Sequence, residues 1–244
     1  MLGNIKRMKA DLSIIVTNYN KPPEQLMACM RSIKEQTVEP KEVILIDDCS
    51  KDPRAHAGAI SVILPKNLGV AKARDFGVKM STGKLILFLD ADDMIAPDFI
   101  QQCGRAIAKG ADIAYPNMVL FDGIPKNKLV DNPSKITPKY VLGRKTSIPV
   151  TSMMWRKVYD DLKGFKTTLP IFEDWDFWIR ALCKGYTFKR ANTLLWYRQN
   201  SNSRNHGSAD LKNKVHYQIT APYVIEGKRL MERKKDGITK IETS

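Results

Sequence analysis

Two acidic stretches of the chain carry side chains that can bind a cation or accept a proton. The first, Asp90, Asp92 and Asp93, directly follows the apolar run 85–89. Two carboxylates about 4 Å apart repel each other by roughly 4 kcal/mol at an effective dielectric constant near 20. Such a cluster therefore needs solvent exposure, proton sharing or a bound cation, and Mg²⁺ and Mn²⁺ prefer carboxylate oxygen. Because Asp is also a favoured turn and capping residue, an acidic turn is the alternative.

The second acidic stretch is the segment FEDWDFWIRA, in which Glu173, Asp174 and Asp176 stand among aromatic residues. Acids at the start of a helix complement the helix dipole, which is one explanation for their presence. An acid at a helix start beside aromatic side chains can instead be a general base whose pKa is modestly raised. The residue types alone leave both explanations open.

Alternating strand and helix patterns surround the first acidic stretch. Continuous apolar runs are typical of strands buried on both faces, and apolar residues three and four apart are typical of one helix face. The predicted strands are 12–17, 42–47, 61–65, 84–90 and 112–121, and the predicted helices are 23–36, 70–81 and 97–109. This alternation predicts an α/β fold with a mostly parallel, doubly wound sheet.

Polar groups follow three of the predicted strands. The sequence TNYN at 17–20 follows the first strand, the pair Asp47 and Asp48 follows the second, and DADD at 90–93 ends the strand at 84–90. Ligands of open α/β sheets bind beyond the carboxyl ends of the parallel strands. A single DxD motif is common by chance, but three polar clusters at one edge predict a ligand site there.

The second half of the chain has a weaker pattern. Residues 122–149 are rich in Gly, Pro, Asn and Lys, which predicts a loop or small insertion that covers a bound substrate. We expect ordered structure again from 150, a helix at 173–185 and a strand or strand pair at 187–198. The tail is expected to be helical after Ser208, with a break or bend at Pro222.

Composition limits the class of protein and its partners. The 244 residues are 43% hydrophobic, which suits one large domain or one domain with a small appendage, and no apolar run has the length of a membrane span. The net charge of +14 favours anionic partners. Four scattered cysteines match no zinc pattern and indicate free thiols in a reducing cytosol. With no recognisable signal peptide, we expect a cytoplasmic protein.

The succession of these segments resembles the family 2 inverting glycosyltransferases with the GT-A fold. The matching segments are SIIVTNYNKPPEQLMACMRSIKEQT, EVILIDDCSKD, NLGVAKARDFGVKMSTGKLILFLDADD and GFKTTLPIFEDWDFWIRAL. Each motif is degenerate, whereas their order over 12–198 is specific. The resemblance implies a Rossmann-like GT-A sheet and the transfer of a sugar from a nucleotide-sugar donor to an acceptor hydroxyl with inversion.

The resemblance also implies which residues bind the donor. Thr17 and Tyr19 match the loop that holds the base and ribose, and Asp48 matches the carboxylate that bonds the base edge, typically uracil, so a UDP-sugar is expected. Arg74 stands where the family often has an arginine that contacts the donor. A solvent-exposed helix arginine is the alternative explanation for Arg74.

The two acidic stretches take their roles from the same resemblance. Asp90, Asp92 and Asp93 match the DxD region of the family. Either Asp92 or Asp93 would bind Mn²⁺ or Mg²⁺ as the ligand that neutralises the leaving diphosphate. Asp174 matches the catalytic base that takes the proton of the acceptor hydroxyl, and Trp175 would line the acceptor side.

Domain boundaries follow from the extent of the match. We expect an N-terminal tail at 1–11, a GT-A domain at 12–199 and a basic, helical C-terminal tail at 200–244. Within the GT-A domain, 12–121 would bind the nucleotide sugar and 122–199 the acceptor. Relatives often show a Tyr-Arg-x-His pattern after the late strand, whereas this chain has Asn200 at the position of that histidine and His206 six residues later.

The acceptor is the least determined part of the prediction. The cluster KRLMERKK at 228–235 would suit peripheral contact with an acidic membrane, at the inner face, or form a solvated helix face. We therefore expect a lipid-linked glycan or surface polysaccharide, or another anionic acceptor. A glycosyltransferase that modifies nucleic acid and a non-catalytic nucleotide-sugar binding protein are the alternatives. A nucleotidyltransferase is disfavoured because TNYNKPPEQ contains no glycine.

Overall fold

The computed structural model describes residues 8–121, 128–130, 132–142, 148–198 and 208–233. The predictions for Asn200 and His206 therefore lie outside the described residues. The strands in these ranges are β1 (Leu12–Asn18), β2 (Glu42–Asp47), β3 (Ile60–Ile63), β4 (Leu85–Asp90), β5 (Met94–Ile95), β6 (Ile113–Phe121), β7 (Lys128–Val130), β8 (Met153–Trp155) and β9 (Phe188–Arg198). The helices are α1 (Pro23–Lys34), α2 (Val70–Met80), α3 (Phe99–Ala108), α4 (Pro138–Leu142), α5 (Arg156–Asp161), α6 (Glu173–Cys183) and α7 (Ala209–Arg233).

All these strands join in one sheet whose order is β3-β2-β1-β4-β8-β6-β9-β5, with β7 beside β6. The long pairings, β1 with β2 and β4, β2 with β3, and β6 with β9, are parallel. The antiparallel pairings, β4 and β6 with β8, β6 with β7, and β5 with β9, involve only two or three residue pairs each. The predicted mixed α/β fold with a mostly parallel sheet is confirmed.

The sheet is covered on both faces, which explains why its central strands are apolar throughout. Successive side chains of a strand point to opposite faces. In β1, Leu12, Ile14 and Val16 pack in a cluster with α1 and α3. Ile15 of the same strand packs in the opposite cluster, with residues of α2, α5 and α6. A strand buried on both faces shows no alternation of polar and apolar residues, because no face of it meets water. β1 is buried along its whole length.

Helix α2 lies unusually close to the sheet because of a glycine. A Cβ atom at Gly77 would lie 2.4 Å from Cγ2 of Ile15. Gly77→Ala is therefore expected to destabilise the protein by about 1–3 kcal/mol, since the added methyl group forces α2 away from β1. Urea denaturation measures this free energy of unfolding.

Gly104 provides the matched control, because it also lies within a helix but has no atom within 4 Å of a Cβ at its position. Alanine has the higher helix propensity, so Gly104→Ala should stabilise the protein by about 0.5–1 kcal/mol. Equal effects of the two substitutions on the free energy of unfolding would contradict the close packing of α2 on β1.

The second half of the chain differs from the prediction in several places. The expected loop at 122–149 contains the short strand β7 and the short helix α4, while 122–127, 131 and 143–147 lie outside the described residues. Of the two alternatives for 187–198, the single strand is observed, as β9 (Phe188–Arg198). Strand β5 was not predicted, because two residues show no periodicity.

The C-terminal helix is attached to the sheet domain. In α7, Val215 and Ile219 are buried in the same cluster as α6, so this part of the helix packs on the core. Of the predicted break or bend at Pro222, the break was wrong, since α7 runs through that residue. Among the described residues, none of the helices combines the length and the apolar character that crossing a bilayer demands.

Candidate active site

The candidate site lies at the carboxyl ends of β1, β2 and β4. Parallel pairing brings Thr17 of β1 level with Asp90 of β4 and with Ile46 of β2. The hydroxyl group of Thr17 donates a hydrogen bond to Oδ1 of Asp90 at 3.0 Å. Thus the first and third polar clusters predicted from the sequence are in direct contact.

The pair that follows β2 is buried and ordered by its surroundings. Asp47 accepts a hydrogen bond from Nδ2 of Asn18 at 2.7 Å, so this carboxylate joins the ends of β1 and β2. Asp48 accepts hydrogen bonds from the backbone N–H groups of Leu68 at 2.7 Å and Gly69 at 2.8 Å. These amides immediately precede α2, and Asp48 therefore fixes the start of that helix beside the site.

The loop after β1 is held against the loop after β2. Asn20 has a positive φ of 51°, a conformation that Asn adopts more readily than most residues. Its backbone N–H donates to Oγ of Ser50 at 2.8 Å, and its side-chain oxygen accepts the N–H of Lys51 at 2.8 Å. Tyr19, just before this turn, is 48% exposed and presents its ring to solvent.

The acids after β4 have different environments. Asp92 is ion-paired with Lys21, which comes from the loop after β1. Asp93 is 2% exposed and accepts the backbone N–H of Arg198 at 2.8 Å. Burial, together with the charges of Asp90 and Asp92, raises the pKa of Asp93 well above its usual range. Asp92 is thus the member of the pair with a cationic partner, whereas the surroundings of Asp93 disfavour its charged form.

A buried arginine connects the two acidic stretches. Arg74 on α2 donates from one terminal nitrogen to Asp90 at 2.8 Å and from the other to Glu173 at 2.8 Å. Its side chain is almost inaccessible, and its guanidinium group lies 5.6 Å from the centroid of the Phe165 ring. Asp90 of the first acidic stretch and Glu173 of the second are therefore joined through one guanidinium group, although they are far apart along the chain.

Asp174 is the acid of α6 whose protonation is most altered by its surroundings. Burial raises its pKa to about 6, the negative charge of Glu173 adds to this effect, and the positive charge of Arg74 opposes it. Oδ1 of Asp174 accepts the backbone N–H of Trp175 at 2.8 Å. A carboxylate with such a pKa is suited to act as a general base near neutral pH.

The turn into α6 is strained at the residue before these acids. Phe172 has a φ of 65° in the left-handed region, which is uncommon for a residue with a bulky side chain. The backbone carbonyl of Phe172 accepts the N–H of Asp176 at 3.0 Å. Left-handed aromatic residues are a feature of functional sites, where the surrounding packing maintains the strain.

Two residues of the same segment serve the core. Asp176 is fully buried between Lys166 at 2.7 Å and Arg180 at 2.6 Å. Trp175 is 4% exposed, and its indole N–H donates to the carbonyl of Val141 at 2.7 Å. The expectation that Trp175 lines an acceptor surface is therefore wrong, because its side chain is packed inside the protein.

The residues at this edge permit a cation with few protein ligands. Among the residues that the structure describes, no group of three or more His, Cys, Asp or Glu side chains is arranged to hold a metal ion. Asp92 is 8% exposed and ion-paired with Lys21, whereas Asp93 accepts the backbone N–H of Arg198. Mg²⁺ commonly takes one or two carboxylates and completes its coordination with substrate phosphates and water. The donor set fits that arrangement and not an all-protein cage.

Sequence reasoning did not identify Lys21, Arg198 and Tyr197 as part of this edge. Nε of Arg198 donates to the backbone carbonyl of Asp92 at 3.2 Å. Burial and then the charge of Asp93 raise the pKa of Tyr197, and the other nearby acids include Asp174. The position of Lys21 beside the NYN turn was a usable signal, whereas the residues of β9 reach the site only through long-range pairing.

Comparison with known proteins agrees with this fold. The model of the family described as "Glycosyl transferase family 2" matches residues 13–163. The uncharacterized glycosyltransferase YwdF of Bacillus subtilis is 29% identical over 214 residues, which are 82% of this chain and 78% of that protein. The amylovoran biosynthesis glycosyltransferase AmsE of Erwinia amylovora is 25% identical over 192 residues, with 71% of this chain and 70% of that protein covered.

A solved structure shows the same fold at low sequence identity. The crystal structure of S. aureus TarS 1-349 in complex with UDP superposes with a TM-score of 0.67 and 18% identity. The matched part is 86% of this chain, but it spans only 64% of the length of that structure. The fold is therefore of the type found in such glycosyltransferase structures.

Proposed function

The chain belongs to glycosyl transferase family 2, and on that premise we propose that it moves a sugar from a UDP-sugar to an acceptor hydroxyl with inversion. The observation that carries the proposal is the contact of Arg74 with both Asp90 and Glu173. This contact supports a shared cleft, since it joins the first acidic stretch, suited to the donor diphosphate, to the acid pair at the start of α6, suited to deprotonate the acceptor. Both halves of the reaction need that proximity.

The nucleoside part of the donor would be bound at the loops after β1 and β2. Thr17 and Asp48 are held in place by hydrogen bonds to Asp90 and to the start of α2, so they are rigid groups for the base and ribose. Tyr19 is exposed at the same edge and offers an aromatic face. The TarS structure contains UDP, which supports uridine as the nucleoside.

The diphosphate would lie at the acids after β4. A divalent cation held by Asp92 would neutralise the charge of the departing diphosphate. Lys21 is paired with Asp92 and supplies a further positive charge at this position. Asp93 remains the alternative ligand of the cation, and Asp90 a proposed partner of the donor. Both are held by the hydrogen bonds to Arg198 and Arg74.

The transfer step would be a single displacement. Asp174 accepts the proton of the acceptor hydroxyl while the hydroxyl oxygen forms its bond to the anomeric carbon. The bond from that carbon to the phosphate oxygen breaks, and the nucleoside diphosphate leaves with the electron pair. Since attack and departure occur on opposite faces, the configuration at the anomeric carbon inverts. General base catalysis of this kind contributes about 10²–10⁴-fold to a rate.

The acceptor is proposed to be part of a polysaccharide or a lipid-linked glycan. AmsE, one of the relatives, is named for the biosynthesis of the polysaccharide amylovoran. The net charge of +14 suits an anionic acceptor or a negatively charged membrane surface. Peripheral membrane contact through the tail at 200–244, and the division into domains at 121 and 199, remain predictions.

The raised pKa of Asp174 predicts how the rate depends on pH. The base must be unprotonated to accept a proton, so kcat should rise through about pH 6 and level off above pH 7. An Asp with an ordinary pKa would place this rise near pH 4. Initial rates from pH 4.5 to 8 at saturating donor and acceptor measure the midpoint. A flat profile across pH 5–7 would contradict Asp174 as the base.

A thermal-shift screen of nucleotide sugars with and without Mn²⁺ tests the proposed donor. We expect one uridine-linked donor to raise Tm most, and to do so only with the cation present. Incubating that donor with glycan and lipid-linked acceptors then separates an enzyme from a binding protein by product formation. Binding to duplex DNA at low salt, without transfer to any glycan, would favour the nucleic-acid alternative.

A further inference from the structure

Arg74 is placed where it cannot easily reach a ligand. It is 2% exposed, and the ring of Phe165 lies 5.6 Å from its guanidinium carbon. Its helix is pressed against the sheet because Gly77, three residues later, permits close approach to Ile15. The side chain is therefore enclosed by the packing of α2 on β1.

Both terminal nitrogens of Arg74 have partners on different elements. One donates to Asp90 at the end of β4 and the other to Glu173 at the start of α6, each at 2.8 Å. Asp90 also accepts the hydroxyl of Thr17 at 3.0 Å, which links β1 to the same network. Four elements that contribute residues to the site are thus joined through one guanidinium group.

A buried ion pair of this kind is not expected to contribute much to the free energy of unfolding. Removing charges from water is costly, and replacement of a buried ion pair by apolar residues is often neutral or stabilising. Its strength is geometric, because a planar guanidinium group fixes the directions of its partners in a way that a lysine cannot. The element whose position it fixes relative to β4 is α6, which carries Asp174.

We infer that Arg74 is a positioning residue for sugar transfer, holding the acids after β4 and the first turn of α6 at a fixed separation. The inference rests on the proposed function, since Asp174 is the proton acceptor whose place would be fixed. It differs from the direct donor contact that the family resemblance implies for Arg74. A positioning role affects turnover and the environment of Asp174, whereas a donor contact affects nucleotide affinity.

The charges around Asp174 predict how its titration responds to the loss of either partner. It faces Glu173 on its own helix, Arg74 on α2, Asp90 on β4 and Tyr197 on β9. Loss of the positive charge of Arg74 should raise the pKa of Asp174 above about 6, and loss of the negative charge of Glu173 should lower it. Because these shifts follow from charge alone, the two roles are distinguished by kcat and the Kd for UDP, above all in Arg74→Lys, which keeps the charge but not the planar guanidinium group.

The experiment compares Arg74→Gln and Glu173→Gln with Arg156→Gln as the matched control. Arg156 also packs near α2, where it donates to Ser81 at 2.7 Å and to the carbonyl of Gly83 at 2.7 Å. Each variant is examined by UDP calorimetry, by kcat, and by ¹³C NMR titration of the Asp174 carboxyl group. The titration needs no activity and no bound ligand.

We expect Arg74→Gln to reduce kcat by about 100-fold while the Kd for UDP stays within about threefold, since about 1 Å of misplacement is enough for such a loss. The NMR midpoint of Asp174 should move up in Arg74→Gln, down in Glu173→Gln, and not at all in Arg156→Gln. Arg74→Lys keeps the positive charge but not the planar guanidinium group with its two terminal nitrogens. The NMR midpoint of Asp174 should therefore stay close to its wild-type value in this variant, whereas kcat should be retained only in part.

A tenfold or larger rise in the Kd for UDP in both Arg74→Gln and Arg74→Lys would overturn the inference in favour of a donor contact. If Arg74→Gln does not fold, Arg74→Lys and Glu173→Gln decide the question by the same measurements. Failure of the wild-type protein to transfer sugar from any donor would refute the proposed function. The NMR midpoints would still report whether Arg74 sets the environment of Asp174.

Discussion

Asp174→Asn is expected to lower sugar transfer by about 10²–10⁴-fold and to leave the affinity for the UDP donor within about threefold. Asn has nearly the same shape as Asp but cannot take a proton from the acceptor hydroxyl. The N–H of Trp175 can still donate to the side-chain oxygen of Asn, so the start of α6 should be preserved. Initial rates and UDP calorimetry on the same preparation measure the two quantities.

Asp11 provides a control acid for this experiment, because it precedes β1, at the opposite end of that strand from the site. Its side chain is 42% exposed and lies 3.3 Å from the ammonium group of Lys41. Asp11→Asn should therefore change neither kcat nor the Kd for UDP. Normal turnover by Asp174→Asn would refute the assignment of the base. A rise in the Kd for UDP equal to the fall in kcat/KM would instead place Asp174 among the donor-binding residues.

Mn²⁺ is expected to increase the affinity for UDP, and Asp92→Ala should reduce this increase by at least about tenfold. The reason is that Asp92 is the proposed carboxylate ligand of the cation after β4. Calorimetry of UDP binding with and without Mn²⁺ measures this gain in the wild-type protein and the variant. Equal affinity of the wild-type protein for UDP in both conditions would contradict a cation bridge between Asp92 and the diphosphate.

Asp93→Asn separates the two predicted ligands. Since burial and the neighbouring acids favour protonated Asp93, the neutral amide replaces it at little cost to cation binding. The N–H of Arg198 can still donate its hydrogen bond in both variants, because residue 93 keeps a side-chain oxygen as Asp in Asp92→Ala and as Asn in Asp93→Asn. Loss of the Mn²⁺ effect in Asp93→Asn but not in Asp92→Ala would make Asp93 the ligand.

The first half of the fold could be predicted because its signals are local. The apolar runs of β1, β2 and β4 indicate strands that are covered on both faces. Each run indicates this by its own residues, without information from distant parts of the chain. The strand ends then place Thr17 and Asp90 at one edge by the rule for parallel sheets. Predicted and observed boundaries in this half differ by at most two residues.

The rest of the site depends on contacts that no local pattern encodes. Asp93 meets the backbone of Arg198 only because β9 pairs with β6 and β5, which are distant in sequence. The burial of Arg74 was not foreseeable from its type, since arginine is mostly exposed. Trp175 follows the proposed base directly, yet its side chain packs in the core on the other side of the helix start.

The central claim is that Asp174 and a cation-bound nucleotide occupy one cleft, and paramagnetic relaxation by Mn²⁺ tests it most directly. With the Asp carboxyl groups labelled by ¹³C, addition of Mn²⁺ and UDP should broaden the Asp174 signal strongly. The signal of Asp11, at the opposite end of β1 from the site, should be broadened much less. Mg²⁺ and UDP should produce no broadening of either signal. If saturating Mn²⁺ and UDP broaden the signal of Asp92 but leave that of Asp174 as sharp as that of Asp11, the account is contradicted.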